Sequence, residues 1–89
     1  MREVVHTSQF KKDFKRLRSS GKDSGKLIAI IEALQKGEAL SPIQRDHMLA
    51  GNWNEWRECH LGGDWLPIYR MTDREVILAR TGSHSELFD

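Results

Sequence analysis

Cysteine is nearly absent from this chain. Cys59 stands alone, so no internal disulfide can form and the fold must rest on packing and hydrogen bonds. A reducing compartment fits that usage, an intermolecular bond stays open, and Cys59 itself reads as a small buried hydrophobe on a strand. No apolar run approaches the roughly 20 residues of a membrane span. The start Met1-Arg2-Glu3-Val4-Val5-His6 also lacks the charged-then-apolar layout of a secretory signal, so a cytoplasmic protein with no membrane partner is expected. Internal repeats, low-complexity segments and linkers are missing too. At 89 residues the chain is expected to be one domain, residues 1–89, with a modest core and no room for a separate cofactor domain.

Net charge is small, +1, but it is unevenly placed. Residues 1–26 carry eight Lys or Arg against three acids, and residues 46–89 carry four Arg against eight acids. Lys11, Lys12, Lys15, Arg16, Arg18, Lys22 and Lys26 should form a positive face. Such a face is the footprint expected for a phosphate-backbone partner, and a solvated helix surface carries the same composition. An acidic protein partner could also use it.

Periodicity outlines an α+β fold. Glu3-Val4-Val5-His6 reads as a short strand, and Thr7-Ser8 offers an N-cap to a helix with Phe10, Phe14 and Leu17 at helical spacing. That helix should stop near Ser19-Ser20-Gly21. Asp23 or Ser24 can cap a second one carrying Leu27, Ile30, Ile31 and Leu34, with Gly37 as its stop. The two make an antiparallel helical hairpin. Glu38 to Gly51 shows no period and contains Pro42, which marks a loop. Strand-like runs follow at Trp53 to His60, Trp65 to Met71 and Glu75 to Thr81, a three-strand antiparallel meander. With the first strand this gives about four strands and helices on one face. Pro67 conflicts with a middle strand, because it has no N–H to donate, so a bulge or a locally open pairing is expected there.

Three of the four histidines, His47, His60 and His84, lie in the second half, and imidazole is the side chain best suited to exchange protons near neutrality. Alternation places Trp56, Glu58 and His60 on one strand face and Val76, Leu78 and Arg80 on another. Arg80 is expected at the strand end opposite the Gly62-Gly63-Asp64 turn. Convergence of these groups therefore does not follow from the sequence.

The pattern Asp46-His47-x-Leu49-x-Gly51-x-Trp53, Arg57-x-x-His60, Asp64-Trp65-x-x-x-Tyr69 and Arg80-Thr81-Gly82-x-His84-x-x-Leu87-Phe88 resembles the YafQ-like toxins of the RelE/ParE superfamily. The likeness covers essentially the whole chain. It implies a RelE-like fold and the toxin of a type II toxin-antitoxin pair that cuts mRNA on the ribosome without a cofactor or metal. In that reaction a ribose 2′-hydroxyl attacks the adjacent phosphorus, which calls for a base, an acid and a cation. Carried over by position, His84 corresponds to the acid for the leaving 5′-oxygen and Arg80 to the phosphate clamp. His47, His60 and Asp64 fall on the base side, with their individual roles open. Phe88 and, more loosely, Trp65 correspond to nucleotide-positioning aromatics, and Lys11, Lys12 and Lys15 would meet the ribosome or mRNA. The implied partner is a cognate antitoxin in a heterotetramer or larger assembly, with DNA contacted only through that complex. The better-known RelE branch uses Lys, Arg and Tyr where this chain offers histidines, so its detailed roles are not carried over.

Two other classes compete. ParE-type relatives share the fold but bind DNA gyrase without cutting RNA, and four acid/base groups in one chain argue against that. The same His and Asp side chains are of types that bind zinc, but no tight ligand spacing supports a metal site.

Overall fold

The computed structural model describes residues 1–40, 46–49, 51–53, 55–62 and 64–88. Its elements run β1 (Glu3–His6), α1 (Ser8–Ser19), α2 (Ser24–Gln35), β2 (His47–Met48), a single 3-10 turn (Gly51–Trp53), β3 (Arg57–Glu58), β4 (Trp65–Met71), β5 (Glu75–Ser83) and α3 (His84–Phe88). The expected α+β architecture is present, and its sheet has five strands in the order β1-β5-β4-β3-β2. The additional strand is β2, which lies in the segment expected to be loop; Pro42 of that segment is outside the described residues.

Capping sets both long helices. The Thr7 hydroxyl accepts from Phe10 N at 3.0 Å, and Asp23 Oδ1 accepts from Gly25 N at 2.9 Å, each satisfying an N–H that the first turn leaves unpaired. Gly21 and Gly37 take φ of 88° and 73° just beyond the helix ends, a region that side chains disfavour. Phe10, Leu17, Leu27, Ile30 and Leu34 then pack on Trp65, Tyr69, Val76 and Leu78. Covering that face is the main source of stability, since each fully buried large apolar side chain contributes about 1.5–3 kcal/mol.

The opposite face of the sheet is also covered. Leu66, Ile68, Ala79 and Leu87 form a second cluster, with Leu49, Trp53 and Trp56 packed against it. Trp65 through Tyr69 are consequently all buried, and β4 reads as a continuous apolar run because it has no solvent side.

β1 pairs parallel to β5, and the other pairings are antiparallel. Trp65 lies opposite Ser83. This corrects the expected position of Arg80: in an antiparallel pair the last residues of β5 sit beside the first residues of β4, so Arg80 is near the Asp64 turn and not at the far end. Register also corrects the parity. Ile68 faces Arg80 but Tyr69 faces Leu78, so Ala79 is an inserted residue, and Thr81, not Arg80, continues the Leu78 face. This bulge lies one position beyond Pro67. Pairing with β3 reaches only Ile68 and Tyr69, so Pro67 withholds no N–H from that neighbour. The expected strand from Trp53 to His60 is reduced to Arg57–Glu58, preceded by the 3-10 turn.

Candidate active site

The β2–β3 pairing builds the floor of the site. His47 lies directly opposite Glu58, so both side chains leave the same face of the sheet. His47 Nε2 is 3.2 Å from Glu58 Oε1, and His84 Nε2 is 3.6 Å from Glu58 Oε2. Glu58 is only 3% exposed, and its Oε2 has no hydrogen-bond partner among the described residues. A buried acceptor in that condition is destabilising. Above this carboxylate the rings form a row: His47 to His60 at 6.1 Å, His60 to His84 at 5.8 Å and His84 to Phe88 at 5.3 Å between centroids. The His84 side chain is 47% exposed, so the row opens to solvent.

Asp64 serves His84. Its Oδ1 is 3.4 Å from both Nδ1 and the backbone N of His84. The sequence places Asp64 on the base side, whereas the geometry sets it against the ring nitrogen that faces away from Glu58. A protonated His84 ring thus has a carboxylate at each nitrogen. The Nε2 contact at 3.6 Å is too long for a hydrogen bond.

Helix α3 holds His84 through a capping box. Ser83 Oγ accepts from Glu86 N at 3.2 Å and Glu86 Oε1 accepts from Ser83 N at 2.9 Å. These hydrogen bonds, with Arg16 nearby, keep the Glu86 carboxyl below its ordinary range. A Cβ on Gly82 would stand 3.1 Å from Glu86 Oε1 and 3.4 Å from Arg16 Nη2, so a side chain there would press on the Glu86 carboxylate that caps α3. At the other end of the row, Asp46 anchors β2 by accepting from the Tyr69 hydroxyl and from Arg57 Nε, the latter at 3.0 Å. Arg57 is therefore Asp46's partner. Burial and the Asp46 bond push the Tyr69 phenol up, so it stays a donor. Burial, reinforced by Asp46 and Glu58, pushes the Cys59 thiol up to about 12. A thiol so protonated is no nucleophile near neutral pH.

Arg80 makes no described contact with the histidine row. Its Nε and Nη2 donate to Asp13 Oδ2 and Oδ1 at 3.0 and 3.1 Å. Burial alone would push the Asp13 carboxyl up, but the bonds from Arg80, Gln9 and Thr81 N outweigh it and hold it below its ordinary 3.8. The sign follows from linkage: stability from Asp13 is fully present above the unfolded carboxylate range and is lost as pH falls through the lower folded value. Thermal unfolding between pH 7 and pH 3 should show this. The wild-type melting temperature is expected to hold to about pH 5 and then fall, and Asp13→Asn should start lower and change less over the acidic part. A mutant curve parallel to wild type would remove Asp13 from the acid response.

Of the other expected site residues, Lys11, Lys12 and Lys15 are exposed on α1. Trp65 is a correction. It is 5% exposed, packs in the core and donates its Nε1 to Thr81 Oγ1 at 2.9 Å, so it offers no open face to a base. Two residues escaped the sequence reading. Glu58 shares strand parity with His60, a visible signal whose chemical meaning depends on β2. Asp13 falls between Phe10 and Leu17 on the apolar side of α1, where a charge signals a buried partner.

A family model described as the bacterial toxin of type II toxin-antitoxin system, YafQ, matches residues 2–89. The mRNA interferase toxin YafQ of Escherichia coli K12 is 34% identical over 88 residues, covering 98% of this chain and 96% of that one. Among solved structures, a copper-bound mutant toxin from Helicobacter pylori superposes with a TM-score of 0.94 at 43% identity, covering 99% of this chain and all of that one. The E. coli DinJ-YafQ toxin-antitoxin complex gives 0.90 at 34% identity, covering 99% and 98%. The copper of the H. pylori toxin raises the question of fit. Among the described residues no group of three or more His, Cys, Asp or Glu is disposed to hold a metal ion. Family match, fold and motif agree over nearly the full length, and the chain belongs to the YafQ family of bacterial type II toxins.

Proposed function

We propose that this toxin is a ribosome-dependent mRNA endonuclease working by metal-independent acid/base chemistry. The observation that carries the reading is the solvent-open row of His47, His60 and His84, with His84 set between Asp64 and the buried Glu58. His84 gives its Nε2 proton to the departing 5′-oxygen while Asp64 orients the ring from Nδ1, the division of labour seen in carboxylate–histidine pairs. A base at His47 or His60 removes the 2′-hydroxyl proton, and that oxygen attacks phosphorus to leave a cyclic phosphate and a free 5′-hydroxyl. Glu58 braces His47 and neutralises charge that appears on the row. Arg80 is the cation for the phosphate oxygens, and Phe88 beside His84 stacks on a base. A toxin that only binds gyrase has no use for such a row.

The deciding experiment is cleavage of a defined mRNA by purified protein, with and without programmed ribosomes and with chelator in the free-RNA control. Cuts only on ribosomes, ending in cyclic phosphate and 5′-hydroxyl, are expected. Growth arrest by a folded protein that makes no cuts would end the nuclease reading.

The partners proposed are the translating ribosome and a cognate antitoxin, as in the DinJ-YafQ pair, in a heterotetramer or larger complex. Exposed Lys11, Lys12 and Lys15 supply attraction to ribosomal phosphate. Changing all three to Gln should weaken ribosome association and flatten its dependence on salt. Sedimentation with ribosomes at several ionic strengths checks this, and an unchanged salt slope would reduce these lysines to a solvated face.

A further inference from the structure

We propose that Asp13 is a positioning residue that aims the Arg80 guanidinium at the scissile phosphate; the inference rests on the nuclease reading of Arg80. β1 ends at His6 opposite Leu78, whereas β5 continues to Ser83. The overhanging edge of β5 therefore has backbone groups with no strand beside them, which must find partners elsewhere. Helix α1 supplies them. The Thr7 hydroxyl donates to Ala79 O at 2.7 Å, and Asp13 Oδ2 accepts from Thr81 N at 3.3 Å. Asp13 is thereby fixed to the backbone next to Arg80, fully buried, before its remaining lone pairs are used.

Those lone pairs take the Nε and Nη2 side of the guanidinium. Two bonds along one edge fix the plane of the group. Nη1 has no partner among the described residues, and the side chain is 27% exposed, so the end of the fork that Asp13 leaves uncommitted can meet two phosphate oxygens. An unrestrained arginine would have to lose its rotamer freedom on reaching the transition state, whereas here that ordering is complete in the folded protein. The same carboxylate reaches the acid. Arg16 Nη1 lies 3.3 Å from Asp13 Oδ1, and Arg16 Nη2 lies 3.0 Å from Glu86 Oε2 on α3. Clamp and acid thus share one frame centred on Asp13.

The test compares wild type, Asp13→Asn, Arg80→Ala, the double variant and Arg80→Lys. In wild type the Arg80 Nε–H should give a slowly exchanging nitrogen-proton NMR resonance, and Asp13→Asn should lose it while its backbone amide spectrum stays folded. Cleavage at saturating ribosome should fall on the order of a hundredfold in Asp13→Asn, with the half-saturating ribosome concentration unchanged. The double variant should be no slower than Arg80→Ala alone, because Asp13 acts through Arg80. Arg80→Lys keeps the charge but not the fork and should match Asp13→Asn; it carries the test if Asp13→Asn fails to fold. Wild-type cleavage by Asp13→Asn or Arg80→Lys, or a double variant slower by the product of the two single losses, would overturn the proposal. Wild-type cleavage by Arg80→Ala would overturn the clamp and the proposal together, and the NMR arm would still show whether Asp13 holds Arg80.

Discussion

Replacing His84 by alanine is expected to lower mRNA cleavage by about two to four orders of magnitude, the usual contribution of a positioned acid. The leaving 5′-oxygen of RNA is a poor leaving group unless protonated. His84 is the ring with a carboxylate at each nitrogen and with Nε2 not committed to a hydrogen bond. Its side chain is half exposed at the start of α3, and the helix is capped by Ser83 and Glu86, which the substitution leaves in place. The melting temperature should therefore stay close to wild type. Single-turnover cleavage on programmed ribosomes measures the first quantity and calorimetry the second. A folded alanine variant cutting at the wild-type rate would mean that another group protonates the 5′-oxygen.

The second large effect is expected at Glu58, where activity and stability should part. Glu58→Gln keeps the shape of the side chain but removes the charge that braces His47 and faces His84. Loss of that alignment should slow cleavage on the order of a hundredfold, the scale associated with misplacement by about an ångström. Stability should not fall, and a small rise is expected. The carboxylate is buried with one oxygen unbonded among the described residues, and burying a charge with incomplete partners is unfavourable. Paired measurements of rate and melting temperature decide it. A variant that melts well below wild type while still cutting normally would make Glu58 a structural residue and not part of the reaction.

Much of the fold was legible because its signals are local. The span Trp65–Met71 matches its strand to the residue, and Thr7, Asp23 and Gly37 bound the helices as their capping chemistry dictates. Non-local features were not legible. β2 is two residues long and exists only through pairing with β3, so His47–Met48 shows no period of its own. One inserted residue, Ala79, shifts strand parity and carries Arg80 away from the Leu78 face. The five residues of α3 are too short for a helical period, although Ser83-x-x-Glu86 is a capping-box signature that announces it. The histidines were visible as chemistry. What drew them together was not, because Glu58 needs β2 and Asp64 needs the end of β5 beside it.

The parallel pairing of β1 with β5 has a kinetic consequence. Glu3 meets Glu75 and His6 meets Leu78, contacts between the two ends of the described chain, and such distant contacts repay their loop-closure entropy late. The helical hairpin can form early from local contacts, but β5 finds its edge partner only when the intervening chain has closed. Refolding should accordingly be slower than for an all-helical protein of this size, with the β1–β5 pairing among the latest contacts to form. A chain stopped short of that pairing would lack the ordered edge at which Thr7 and Asp13 meet β5.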